Sequence, residues 1–171
     1  MKTSDLEPAA LQRIRVMRQN GIVSPVRTFL IARQENLPLP IACAFLEQES
    51  SGGQNIFGHD TGTIFAGAGK VTKRKYLRYK QQRDALLPNG PRRMQGVGPM
   101  QLTWFEFQDG ADEIGGCWKP SKNMTFGFGL IRDFLNDFDG NVVDAGEKYN
   151  GNRSYGHEVR DKVEKWRERL P

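Results

Sequence analysis

A mainly α fold, with a small irregular or β lobe inserted between about residues 52 and 100, is what this 171-residue sequence predicts. Three observations carry the prediction. Apolar residues recur at helical spacing toward both ends of the chain; the middle is glycine-rich and lacks regular periodicity; and the length, with 37% hydrophobic residues, suits one core that can fold alone. The expected organisation is a single domain over 1–171, with N-terminal helices in 1–36.

Taken in order, Leu11 to Arg18 and Pro25 to Glu35 read as helices, the second opened by Ser24 as cap and Pro25 in the first turn. After the break at Leu37-Pro38-Leu39-Pro40, a third helix begins with Pro40 in its first turn and stops at Gly52-Gly53. Within it Ala42, Phe45, Leu46 and Glu49 fall at i, i+3, i+4 and i+7, one face of a helix that should pack. Glu49 is thus an ionisable group where the pattern calls for a core residue. Half-desolvated in a last turn, such a carboxyl is expected to have a raised pKa, which suits a general acid near neutral pH. Glu47 falls on the opposite side and is expected to be solvated.

From Gly52 to Gly69 the chain reads as looping, with room for a short hairpin. Lys70 to Arg83 is basic, and Leu86 to Val97 is a Pro/Gly-rich return. Thr103-Trp104-Phe105-Glu106 has the form of a capping box opening another helix. Gly127, Leu130, Ile131, Phe134, Leu135 and Phe138 form a helical stripe, placing a core helix at Thr125 to Phe138. A further helix from about Val142 should end at Tyr149-Asn150, with Gly151 in the stop position. Val159, Val163, Trp166 and Leu170 define the last one.

A formal net charge of +5 and a pI near 9.4 imply attraction to an anionic partner: nucleic acid, a membrane surface or a wall polymer. No apolar run is long enough for a membrane span, so stable insertion is not expected, and the polar start Met1 to Glu7 lacks the apolar core of a signal peptide. Synthesis in the cytosol is therefore expected. Cys43 and Cys117 are far apart, with no CxxC pair, and only two histidines accompany them, so no zinc cluster, other metal site or cofactor is called for. Cys43 reads as a small buried apolar residue.

Four local signals occur in a fixed order: Glu49-Ser50-Ser51-Gly52, Gly98-Pro99-Met100-Gln101-Leu102-Thr103, Asn123-Met124-Thr125-Phe126-Gly127 and Tyr149-Asn150-Gly151. Together, over a core of roughly residues 38–166, they resemble the goose-type lysozyme and soluble lytic transglycosylase superfamily, whose members carry a Glu-Ser pair, a Gly-x-Met-Gln turn and a Tyr-Asn pair. The resemblance implies a lysozyme-like α+β domain with a groove between the helical body and the inserted lobe. It implies cleavage of the β-1,4 bond between N-acetylmuramic acid and N-acetylglucosamine in peptidoglycan, with Glu49 as the acid. It further implies that Ser50, Met100, Gln101, Thr103, Tyr149 and Asn150 line the substrate, Gln101 fixing an N-acetyl group and the Tyr149 phenol orienting the Glu49 carboxyl. A small chain without an export signal also looks like a phage endolysin, made in the host cytoplasm and acting as a monomer at the bacterial wall.

The nucleophile is less determined. Asp60, in Phe57-Gly58-His59-Asp60-Thr61-Gly62, resembles an aspartate that goose-type lysozymes place in a Gly-Asp loop, and it is the candidate for positioning a water; an ordinary loop aspartate is the equal alternative. Those lysozymes carry a second aspartate just after Met-Gln, where this chain has Thr103. Lytic transglycosylases need only one glutamate, because the muramic acid 6-hydroxyl attacks and yields a 1,6-anhydro end. The interval between Asp60 and the Met-Gln turn is also longer than in the goose-type enzymes. It holds Lys70, Lys73, Arg74, Lys75, Arg78, Lys80 and Arg83 around Tyr76 and Tyr79, which could be a solvated helix face or a surface for an anionic wall polymer. Two readings from other classes follow from the same residues: a basic nucleic-acid-binding module, ranked well below the glycosidase, and a wall-binding domain without catalysis.

Overall fold

The computed structural model describes residues 6–58, 67, 69–86 and 93–171, and contains among them eight α-helices and a small antiparallel sheet. The chain is mainly helical. The helices are α1 (Pro8–Gln19), α2 (Pro25–Gln34), α3 (Leu39–Ser50), α4 (Lys73–Leu86), α5 (Phe105–Glu113), α6 (Pro120–Asp137), α7 (Val142–Asn150) and α8 (Arg153–Arg169). The strands β1 (Ile56–Phe57), β2 (Gly69–Lys70), β3 (Arg93–Val97) and β4 (Leu102–Trp104) form one sheet in the order β2-β1-β3-β4. Phe57 pairs with Gly69 on one side and with Val97 on the other, and Val97 pairs with Leu102. One cluster of buried side chains runs from Met17 on α1 to Trp166 on α8.

Helix α3 is the centre of that cluster. The single packing face expected of it is corrected: Ile41 through Leu46 are all buried, so the helix is apolar nearly all round and other elements enclose it. Helical phase therefore does not single out Glu49, because Glu47, Gln48 and Glu49 are all half-buried. Each is answered from α8 instead. Trp166 Nε1 donates to Glu47 at 2.9 Å, Gln48 Nε2 donates to Glu158 at 2.8 Å, and the Tyr155 hydroxyl donates to Glu49. The Glu47 side chain keeps 37% exposure, so it is in contact with solvent as expected, though Trp166 also engages it. The helix stops because Ser51 turns left-handed and Gly52 follows at φ +96°, where a Cβ would stand 2.1 Å from the Gly21 carbonyl oxygen.

Other boundaries shift for identifiable reasons. Helix α1 starts earlier than expected, with Pro8 in its first turn, and α6 starts at Pro120, upstream of Thr125, for the same reason. Ser24 holds the N-cap position of α2, yet its side chain makes no capping bond. The capping box at Thr103–Glu106 does not form: Thr103 lies in β4 and α5 opens at Phe105 with Trp104 at the N-cap, because pairing with β3 claims the segment first. On α6 the buried stripe is Met124, Gly127, Phe128, Ile131 and Leu135, while Phe138 sits past the helix end, 37% exposed. The α7 helix ends as its glycine predicts, with Gly151 at φ +87°. The basic stretch is α4, a helix within the inserted region, and the sheet continues beyond residue 100 into β4. No helix among the described residues is long and apolar enough to cross a membrane.

Candidate active site

The four sequence signals converge on one piece of backbone, the turn Gly98-Pro99-Met100-Gln101 between β3 and β4. The turn closes with Gln101 N–H donating to Gly98 O at 3.1 Å and needs left-handed backbone at Gly98 (φ +77°) and Gln101 (φ +45°). Buried peptide groups here must find partners, and side chains supply them. Ser50 Oγ donates to Pro99 O at 2.6 Å. Asn123, fully buried on α6, takes the Met100 N–H at 2.9 Å and donates to Val97 O at 2.9 Å. The Tyr149 hydroxyl, from α7, donates to Met100 O at 2.6 Å. Packing enforces the same fit: a Cβ on Gly98 would stand 2.6 Å from Asn123 Cγ, and one on Gly127 would stand 2.6 Å from Met100 Cγ.

Several expected roles change as a result. Ser50 is buried and spends its hydroxyl proton on the turn, so it holds the turn in place. Gln101 donates its amide protons to Gly98 O at 2.7 Å and Ile56 O at 3.1 Å, leaving no amide donor for an N-acetyl group. Met100 is fully buried, with both its peptide groups engaged. Tyr149 has one hydroxyl proton, and that proton goes to Met100 O; it does not orient Glu49 as expected. Thr103 and Asn150 are half-buried, and their side chains make no hydrogen bond among the described residues, so their polar atoms are uncommitted. Asp60 lies outside the described residues.

The hydroxyl that does reach Glu49 belongs to Tyr155, a residue the motifs do not include. It sits in the first turn of α8, which Asn152 caps by accepting the Ser154 N–H at 2.9 Å. Helices α7 and α8 cross through their glycines: a Cβ on Gly156 would stand 2.2 Å from Val143 O, and one on Gly146 would stand 2.9 Å from the Gly156 Cα. That close approach brings Tyr155 to the end of α3. Phe45 packs against both phenols, 5.5 Å from the Tyr149 ring and 6.2 Å from the Tyr155 ring. Burial, and then the nearby Glu49 charge, push both phenols well above their ordinary pKa. Tyr155 therefore stays protonated and remains a hydrogen-bond donor to Glu49 throughout the physiological range. A signal for it exists in the sequence, since Tyr155 extends the stripe of Val159 and Val163 by one turn and is the only member with a hydroxyl tip.

Helix α4 docks on α5 through a second polar cluster. Tyr76 donates to Asp112 at 2.8 Å, Lys80 pairs with Asp109 at 2.8 Å and with Asp112 at 2.6 Å, and the fully buried Arg83 pairs with Asp109 at 2.6 Å. Tyr79 and Gln108 complete it, the Gln108 amide donating to Leu102 O at 2.8 Å. Four residues of the basic stretch thus face inward, whereas Lys73, Arg74, Lys75 and Arg78 remain exposed. No group of three or more metal-ligating side chains occurs among the described residues. Comparison with models of protein families, with characterised proteins and with solved structures finds no match to this chain.

Proposed function

We propose that the chain is a glycosidase of the bacterial cell wall, a lysozyme-like muramidase that cleaves the N-acetylmuramic acid to N-acetylglucosamine β-1,4 bond with Glu49 as general acid. The observation that carries this reading is the Tyr155 to Glu49 hydrogen bond at the end of a buried helix, beside a turn gripped by Ser50, Asn123 and Tyr149. A carboxyl held in one orientation, half-buried yet at a helix end, has the setting in which a proton can pass to a glycosidic oxygen as the bond breaks. The order of the four motifs supports the same family. The setting of action follows from it: peptidoglycan strands as substrate and a phage endolysin as the kind of protein.

Transglycosylation is the second reading, and Thr103 favours it. Where goose-type lysozymes place an aspartate to serve a water, this chain has a hydroxyl on β4, so the muramic acid 6-hydroxyl can take the part of the nucleophile. Purified walls digested by the full chain decide between them: reducing muramic ends mark hydrolysis, and 1,6-anhydro ends mark transglycosylation. Glu49→Gln should lower the rate of either by at least about 10²-fold while the protein keeps its fold. Clearance of walls by Glu49→Gln at the wild-type rate would overturn the glycosidase reading.

A further inference from the structure

The cations of α4 meet two different fates. Near its C-terminus Lys80 and Arg83 are enclosed by Asp84, Asp109 and Asp112. At its N-terminus Lys73 is exposed and has no carboxylate partner among the described residues; its ammonium lies over the Trp118 ring, 5.6 Å from the centroid. Lys119, also exposed and without a carboxylate partner among the described residues, lies over the same ring at 5.7 Å. The two nitrogens are thus no more than about 11 Å apart. The ring itself is fixed. It rests on Gly116, where a Cβ would stand 2.6 Å from the indole Cη2, and packs on the buried Tyr76 ring at 5.6 Å. The Trp118 carbonyl accepts Asn55 Nδ2 at 3.2 Å.

We propose that Lys73, Trp118 and Lys119 form a binding site for a phosphate-bearing polyol or sugar chain, the chemistry of an anionic cell-wall polymer. Charge does the recognising. With both ammonium groups over the indole, a flat base stacks there only by displacing them, whereas phosphate oxygens accept from them where they stand. The half-buried indole beside them offers apolar surface to the carbon backbone of the polymer. These features favour a polyol phosphate over a nucleic acid. The site does not depend on the glycosidase reading, because binding is measured without bond cleavage.

Calorimetric titration of the full chain with a defined glycerol-phosphate oligomer, at several salt concentrations, tests the proposal. Lys73→Gln with Lys119→Gln should weaken binding about tenfold and reduce the slope of log K against log salt by about two. Lys73→Arg with Lys119→Arg should retain binding. Arg15→Gln with Lys165→Gln, which removes the same charge from exposed positions elsewhere, should change it less than about twofold. Thermal melts of each variant verify the fold. Absence of wild-type binding, equal losses in the two neutralised pairs, or tighter binding of a single-stranded oligonucleotide of equal charge would each overturn the site.

Discussion

Two tyrosine hydroxyls donate to carboxylates among the described residues, and the surroundings of the two differ. Tyr76 meets Asp112, which Lys80 answers at 2.6 Å and which also caps the Cys117 N–H at 2.8 Å. Tyr155 meets Glu49, and the donor that α8 supplies there is a neutral phenol with Phe45 packed alongside. In the first cluster opposite charges compensate each other at the joint of two helices, an arrangement suited to holding α4 on α5. In the second a neutral phenol orients a carboxyl at a half-buried helix end, the setting that the proposed glycosidase gives its general acid. What separates the two clusters is the kind of donor that meets the tyrosine's carboxylate partner: Lys80 joins Tyr76 at Asp112, whereas α8 offers Glu49 a phenol.

Arg83 gives the largest test of the structural side. Arg83→Met removes the donor that Asp109, Gln108 and the Phe105 carbonyl share. The expected loss is about 3 kcal/mol, the low end for a broken buried pair, because Asp109 keeps 39% exposure and recovers water. Urea unfolding measures it. Activity per folded molecule should stay unchanged; if Arg83→Met instead left stability intact, the α4 to α5 cluster would not be what holds the helix.

The two tyrosines provide the sharper contrast. Under the proposed function, Tyr155→Phe should lower kcat about tenfold to a hundredfold with little change in KM, since it removes the hydrogen bond that orients Glu49. Tyr76→Phe should cost about 1 kcal/mol of stability and leave kcat alone. Steady-state kinetics on soluble wall fragments, with a melt of each variant, separate the outcomes. Equal kinetic effects of the two changes would erase the distinction drawn between the clusters.

Much of the helical frame was legible because its signals are local. The α7 stop at Gly151 and the stripe of Val159, Val163 and Trp166 on α8 depend on neighbours in the chain, and both stand in the structure. The capping box at Thr103 was illegible because cross-strand pairing with β3 overrides a local preference. The candidate site could be listed from the sequence, but the contacts of its residues could not. Glu49, Ser50, Met100, Tyr149 and Asn123 could be picked out by motif, but that Ser50, Asn123 and Tyr149 all serve the backbone of one turn depends on how four separated elements meet. Tyr155 was missed for the same kind of reason, since its reach to Glu49 follows from the glycine crossing of α7 and α8.

The smallest expected effect is the pH dependence of the structural cluster. Burial pushes Asp109 up, but hydrogen bonds from Lys80 and Arg83 and their charges outweigh it and hold the carboxyl below its ordinary value of 3.8. A depressed carboxyl contributes stability that is fully present above its unfolded value and is lost as pH falls through its folded value. The wild-type melting temperature should therefore owe this contribution in full at pH 5 to 7 and lose it at lower pH. In Asp109→Asn the term is absent, so the two proteins should differ most near neutrality and converge in acid. The cationic side behaves oppositely: although burial pulls Lys80 down, Asp109 and Asp112 hold it above 10.5, so its contribution is present at neutral pH and fades only as alkali removes the proton. Melting curves of the two proteins that stayed a constant distance apart down to strong acid would show that Asp109 acts through its shape and not its charge, and Lys80 and Arg83 would then not be what holds α4 on α5.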